Sequence, residues 1–426
     1  MRYSRLIIAI VLLAALTGGA FGSPAVTLPG KQEPERFFWK NRAIKIAVSS
    51  SLIKQNANIK PDSDVIGAVR RSLAAWQNAT DIEFQVEPSE RQSVSPVGIS
   101  GDGVSLITIA PTPENVLFFA KDAQTVSAKT RLFYNRKGFI TEADIVLNPF
   151  QQFSTDGSFG TFDLESALTH EIGHLLGLRH SEVMGSAMSA DLAKNAALGA
   201  GEFAPRTLSD NDVAAIRELY GGKPDNDGCC AGITGKITSP SGRPGKNLKI
   251  WAEESATGRV IAQADLSADG GFSIGGLPGG TYELFWKTRA GQIISAAGEL
   301  GKVQLANGET KTLNQKVTAE QTDIVVDYVG VDGQLAASAV LLGTGREQTV
   351  YIGGKNLDPK RLTIDLGSPF LHVTADSVIQ RDFGKDLSVI SFSLTVDRDA
   401  AKGVYSIFFG DSNGGRAVLV GALRVQ

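Results

Sequence analysis

Eleven residues, His170-Glu171-Ile172-Gly173-His174-Leu175-Leu176-Gly177-Leu178-Arg179-His180, hold three of the chain's four histidines, and no other stretch constrains the fold as much. Asp163 is placed to cap a helix running to Leu176, because its carboxylate can accept from the free backbone N–H groups of a first turn. His170 and His174 stand four apart on that helix, so both imidazoles project from one face and can reach a single ion at about 2.0–2.1 Å each. Gly177 supplies a left-handed stop that residues with a β-carbon resist, and the reversal it allows can bring His180 to the same ion. Three protein ligands leave one tetrahedral position for a water whose pKa zinc lowers toward ~7. Glu171, beside the first ligand, is then placed to take the proton as that water attacks a carbonyl carbon. The plain alternative is a buried helix with incidental histidines, and the clustering and spacing argue against it.

The same run resembles the elongated zinc motif of the metzincins, and most closely the matrixin branch that includes the matrix metalloproteinases. Met188, eight residues past His180, stands where that family places the methionine of its Met-turn, with Met184 the weaker candidate. Residues 142–148 resemble the strand before the active-site helix and residues 208–216 the closing helix, so the resemblance covers residues 37–223. It implies an α+β zincin catalytic domain with a twisted five-stranded sheet and three helices. It also implies one catalytic Zn2+ on His170, His174 and His180, with Glu171 as the catalytic base. The implied cleft runs between the Met-turn and the sheet's edge strand, here residues 127–134, where an extended peptide pairs by backbone hydrogen bonds. Three departures qualify the resemblance. No cysteine precedes the domain, so latency through a zinc-capping thiolate is not expected; only His372 is left for a second zinc, so none is expected. Ser189-Ala190-Asp191 replaces the family's proline and tyrosine after Met188, so the shape of the primary pocket does not carry over. Calcium stays open as a further cofactor with no residues assigned to it, and Asp102 and Asp156 read as solvated turn residues.

Residues 43–48, 82–86, 105–110, 130–134 and 142–148 read as strands, with Asn135-Arg136-Lys137-Gly138 as the turn between the last two. Val65, Ile66, Val69, Leu73 and Trp76 recur at helical spacing behind a cap at Asp62 or Ser63. A last helix starts at Ser209, with Asp212 in a capping-box position, and Gly221 ends it. From Gly232 onward short alternating runs broken by Gly, Pro, Asn and Asp read as all-β. The expected organisation is a signal peptide at 1–22, a short segment at 23–36, the catalytic domain at 37–223 and a linker at 224–231. Two β-sandwich domains complete it, at 232–318 and 323–426. The first resembles the transthyretin-like sandwich of carboxypeptidase regulatory regions and the second resembles immunoglobulin-like modules. They read equally well as surface or polymer binders and as spacers. His372, a lone histidine in a strand, reads as structural.

A chain of 426 residues is too long for one core, which agrees with several domains. Its 42 basic and 45 acidic residues nearly cancel without a basic stripe, so no nucleic-acid partner is expected. Arg2 and Arg5, the apolar run 6–16 and the small residues before Gly22 read as a signal peptide. That run is well short of the roughly 20 apolar residues that span a bilayer, so no membrane span is expected after cleavage. Cys229 and Cys230 are adjacent; on a trans chain neighbours sit about 3.8 Å apart, closer than a disulfide usually allows, so a bridge between them would be strained and they read as small linker residues, with a redox or intermolecular role as the alternative. The whole points to a secreted, monomeric zinc endopeptidase, extracellular, periplasmic or at the cell surface, acting on peptide or protein substrates. Its rival is an exported adhesion or surface-binding protein with an inactive metallopeptidase module.

Overall fold

A computed structural model describes residues 36–96, 101–195, 206–223, 229–245, 247–290, 294–318, 320–384 and 386–426. The expected signal peptide, all of the segment 23–36 but its last residue, and residues 224–228 of the linker lie outside them. Among the described residues no helix is long and apolar enough to cross a membrane.

The first sheet contains β1 (Phe38–Trp39), β2 (Ala43–Ser49), β3 (Glu83–Ser89), β4 (Leu106–Thr108), β5 (Ala128–Tyr134) and β6 (Phe139–Leu147). The five longer strands lie in the order β5-β6-β4-β2-β3, all parallel except β5. β6 is buried without interruption from Glu142 to Leu147, as befits a strand with neighbours along both edges. The sheet has six strands where five are expected. Phe38 N–H finds the Gly138 carbonyl at 3.1 Å, and Phe38 and Trp39 pair in parallel with Phe139 and Ile140. Among the described residues there are five helices where three are expected. α1 (Ser50–Ile53) and α3 (Pro113–Leu117) are single turns, while α2 (Val65–Ala79), α4 (Leu164–Leu175) and α5 (Asp210–Tyr220) are the three anticipated. The cap of α2 is Asp64, whose carboxylate accepts from Gly67 N–H at 2.9 Å. Neither Asp62, which sits at φ 66 in the preceding turn, nor Ser63 takes that role, because the helix begins only at Val65. Val69, Leu73 and Trp76 of α2 and Leu168, Ile172 and Leu175 of α4 fill one core against the sheet.

From Ala231, inside the expected linker, the regular elements among the described residues are all strands. A four-stranded and a three-stranded sheet close over one core that takes Ile250 and Leu284 from one and Ile233 and Ile274 from the other. After them a five-stranded and a four-stranded sheet do the same around Ile352, Phe392, Ile407 and Leu423. A further apolar cluster joins the units, with Val183 from the first, Trp251 and Phe285 from the second, and Val404 and Phe408 from the third. Cys229 and Cys230 are paired as a disulfide, where the sequence reading has two linker residues.

Candidate metal centre

Asp163 starts α4 as its carboxylate accepts from Ser166 N–H at 2.8 Å, and Arg206 Nε holds the same group at 3.1 Å. The helix is locked onto α2 by two bonds: the Ser72 hydroxyl donates to the Glu165 carbonyl at 3.0 Å and the Trp76 indole to that of Thr169 at 2.9 Å. Gly177 ends it at φ 97, and a β-carbon there would stand 2.0 Å from the Phe37 carbonyl oxygen, so only glycine fits the turn.

Past that turn His180 comes back to the helix. His170 Nε2 stands 3.1 Å from His174 Nε2 and 3.2 Å from His180 Nε2. Among the described residues this is the one group of three or more His, Cys, Asp or Glu side chains disposed to share an ion. The outer nitrogens of two rings are already engaged: His170 Nδ1–H donates to the Ala187 carbonyl and His174 Nδ1–H to that of Leu178, each at 2.8 Å. With the proton on Nδ1, a neutral imidazole presents a lone pair at Nε2. Burial favours the neutral form, pushing His170 well below the usual histidine range with help from His174 and His180, His174 down to about 4, and His180 lower as well. Lone pairs held 3.1 Å apart repel, and a cation between them removes the conflict. A tetrahedral ion with bonds of about 2.0–2.1 Å separates its nitrogens by about 3.3 Å, close to the observed spacing. Three imidazole nitrogens, two of them backed by carbonyls that set tautomer and ring orientation, are a donor set that fits zinc.

Glu171 lies on the same helix and is 3 % exposed. The hydroxyl of Thr130 on β5 sits 2.6 Å from its Oε2, and burial pushes its carboxyl up to about 7 against the opposing pull of Thr130 and Lys129. β5 itself pairs only with β6 among the described residues, leaving its other edge open beside α4.

Met188 is buried beneath α4 with its thioether against Gly173, and its carbonyl accepts from Ser181 N–H at 2.8 Å. Met184 turns away into the core of the last β unit. Asp212, fully buried, has a task beyond its capping box: its carboxylate accepts from Ala187 N–H at 2.8 Å, Met188 N–H at 3.3 Å and the Ser186 hydroxyl. Sequence reasoning misses this task and that of Thr130. The available hint for Asp212 is an Asp where a capping box usually has Glu or Gln. His372 is exposed on the strand Leu371–Val373, paired with Asp397 at 3.1 Å and outside the histidine cluster. Asp102 pairs with Arg91, and Asp156 accepts from Ser158 N–H at 3.0 Å within a turn.

Residues 119–221 match the family model described as matrixin, a stretch that takes in β5, β6, α4, the three histidines and α5. Metalloendoproteinase 5-MMP of Arabidopsis thaliana is 44% identical over 66 residues, 16% of this chain and 16% of that protein. Metalloendoproteinase 1 of Glycine max is 42% identical over 179 residues, 38% of this chain and 48% of that protein. The chain thus spans less than half the length of either relative. Among solved structures, the major pilin subunit of Bacillus cereus shares 12% identity over 44% of this chain and 66% of its own, at a TM-score of 0.19, too slight a likeness to bear on the fold. Around its histidine cluster, the chain carries a matrixin-like domain.

Proposed function

We propose that the chain is an exported zinc-dependent endopeptidase in which His170, His174 and His180 hold the ion, Glu171 is the general base and Met188 forms the floor of the site. The meeting of three Nε2 atoms, two of them with their Nδ1 protons given to carbonyls, carries this reading. When bound, zinc supplies a Lewis acid that polarises a peptide carbonyl and makes water more acidic. Glu171 supplies the proton acceptor. Held by Thr130 and with a proton affinity near neutrality, it takes a proton from the attacking water and returns it to the departing amine. The open edge of β5 offers backbone N–H and C=O groups to an extended substrate, a mode of recognition that tolerates many sequences. Residues 37–223 form the catalytic part and 232–318 and 323–426 the β domains that follow. Export rests on Arg2, Arg5 and the apolar run at 6–16.

The purified chain should clear casein or gelatin, stop when a chelator removes zinc and resume when zinc returns. Glu171→Gln should retain zinc and lose at least roughly a hundredfold in kcat. Equal clearing by E171Q removes the assigned base, and no clearing by the intact zinc-loaded chain contradicts the proposal.

A further inference from the structure

Between His180 and Met188 the chain runs as a loop that Asp212 of α5 holds at Ser186, Ala187 and Met188, and that the β units hold from Ser181 to Gly185. Met184 N–H donates to the Val420 carbonyl at 2.9 Å, and Ala339 N–H donates to that of Met184 at 3.4 Å. A β-carbon on Gly185 would fall 2.3 Å from Val404 Cγ1, so loop and strand touch with no space between. Arg424, on the final strand Arg416–Val425 and 8 % exposed, donates from Nη1 to the Gly185 carbonyl at 3.3 Å and from Nη2 to the Thr207 hydroxyl. The second unit grips the other end. Gln263 Oε1, on the strand Val260–Asp265, accepts from Glu182 N–H at 3.0 Å and from the Ser181 hydroxyl at 3.4 Å. Lys287 and Lys249 pair with the Glu182 carboxylate at 3.0 and 3.4 Å.

These contacts end at two of the three histidines. His180 directly precedes Ser181, and the carbonyl of Ala187, two residues past Gly185, orients His170. Groups that orient a metal ligand from behind are typically worth about 10–100-fold in metal affinity. A loop with so little secondary structure of its own depends on its anchors for that precision.

We infer that the two β units are part of the metal centre's framework, with Arg424 and Gln263 as positioning residues that hold loop 181–188 so that the His180 ring and the Ala187 carbonyl keep their places. This rests on the zinc reading above. By linkage, zinc binding should tighten the seam as much as the seam tightens zinc binding.

The test uses the full-length chain and competition with a chromophoric chelator, alongside hydrogen exchange of the loop amides. Arg424→Gln, one step behind the orienting carbonyl, should raise the zinc Kd by about tenfold at most, the low end for an orienting group, and speed exchange at residues 184–187. Arg424→Lys, which keeps a charge and one of the two bonds, should recover most of the affinity. Gln263→Ala, at a part-exposed position that the fold tolerates, should weaken zinc two- to fivefold and keeps the test open if R424Q does not fold. The inference is overturned if R424Q, or Q263A should R424Q not fold, binds zinc as tightly as the wild type. It is overturned equally if the wild-type loop amides exchange as freely as an untethered loop. A wild-type chain that takes up no zinc overturns the parent reading too, and is told apart because the wild-type arm itself is empty.

Discussion

Helix α4 and the loop at 181–189 enclose the same cluster, yet different parts of the chain hold them. The cap of the helix, Asp163, is the residue before it, its stop, Gly177, lies two residues beyond it, and its packing partner α2 belongs to the same core. The loop is held by Asp212 on α5, and then by Gln263 and by Arg424, the last of these 239 residues from the carbonyl it reaches. Ligand identity is therefore a local property of this chain, whereas the position of one ligand, and the orientation of another, are non-local. A helix satisfies its own backbone and can present two ligands with little outside help. A loop must borrow that rigidity.

The largest effect should come from the helix side. His174→Ala should weaken zinc by well over the ~10–100-fold that loss of an orienting group costs, as read by chelator competition. A loss no greater than that of R424Q would break the distinction between ligand and anchor. Next is the seam between the β units, where the buried Glu253 carboxylate accepts from the Trp251 indole at 2.8 Å and the Ser406 hydroxyl at 2.6 Å. Burial pushes Glu253 up to about 7 from 4.5, against those two bonds. Between these values the folded chain holds a proton that the unfolded chain has released, so this group's contribution falls as pH rises. The loss amounts to about 3 kcal/mol by pH 8. Gln at 253 keeps an oxygen for both donors, so the difference in urea stability between wild type and E253Q should shift in favour of the variant from pH 4.5 to pH 8. A difference that stays flat with pH would show that Glu253 is not a buried titrating contact of the seam. The smallest effect is Asp163→Ala, which should cost about 1–2 kcal/mol in thermal unfolding while zinc affinity changes less than threefold. A tenfold loss of zinc with that change would show that the helix side is as delicate as the loop.

The same division explains what is legible in the sequence. The spacing of His170, His174 and His180, the glycine at 177, the cap at Asp163 and the capping box at Ser209 and Asp212 are all local, and the structure has each element where the pattern expects it. The turn at 135–138 is also in place, with Gly138 at φ 78. What the pattern cannot carry depends on distant partners. β1 is two residues long and exists because Gly138 and Phe139 lie beside it. Thr130 is one more β-branched strand residue until the fold sets it against Glu171. The spacing from His180 favours Met188 over Met184 as the methionine beneath α4, but where Met184 goes instead is set by the distant β core that receives it. The role of the C-terminal units, binder or spacer from sequence alone, is open for the same reason: their contacts with the loop connect residues up to 239 positions apart.

X-ray absorption at the zinc edge of the zinc-loaded, full-length chain reads the coordination sphere directly. Three imidazole nitrogens at about 2.0–2.1 Å are expected, falling to two in His180→Ala. Two imidazoles in the wild type, or a spectrum that H180A leaves unchanged, would contradict a centre in which the loop delivers the third ligand.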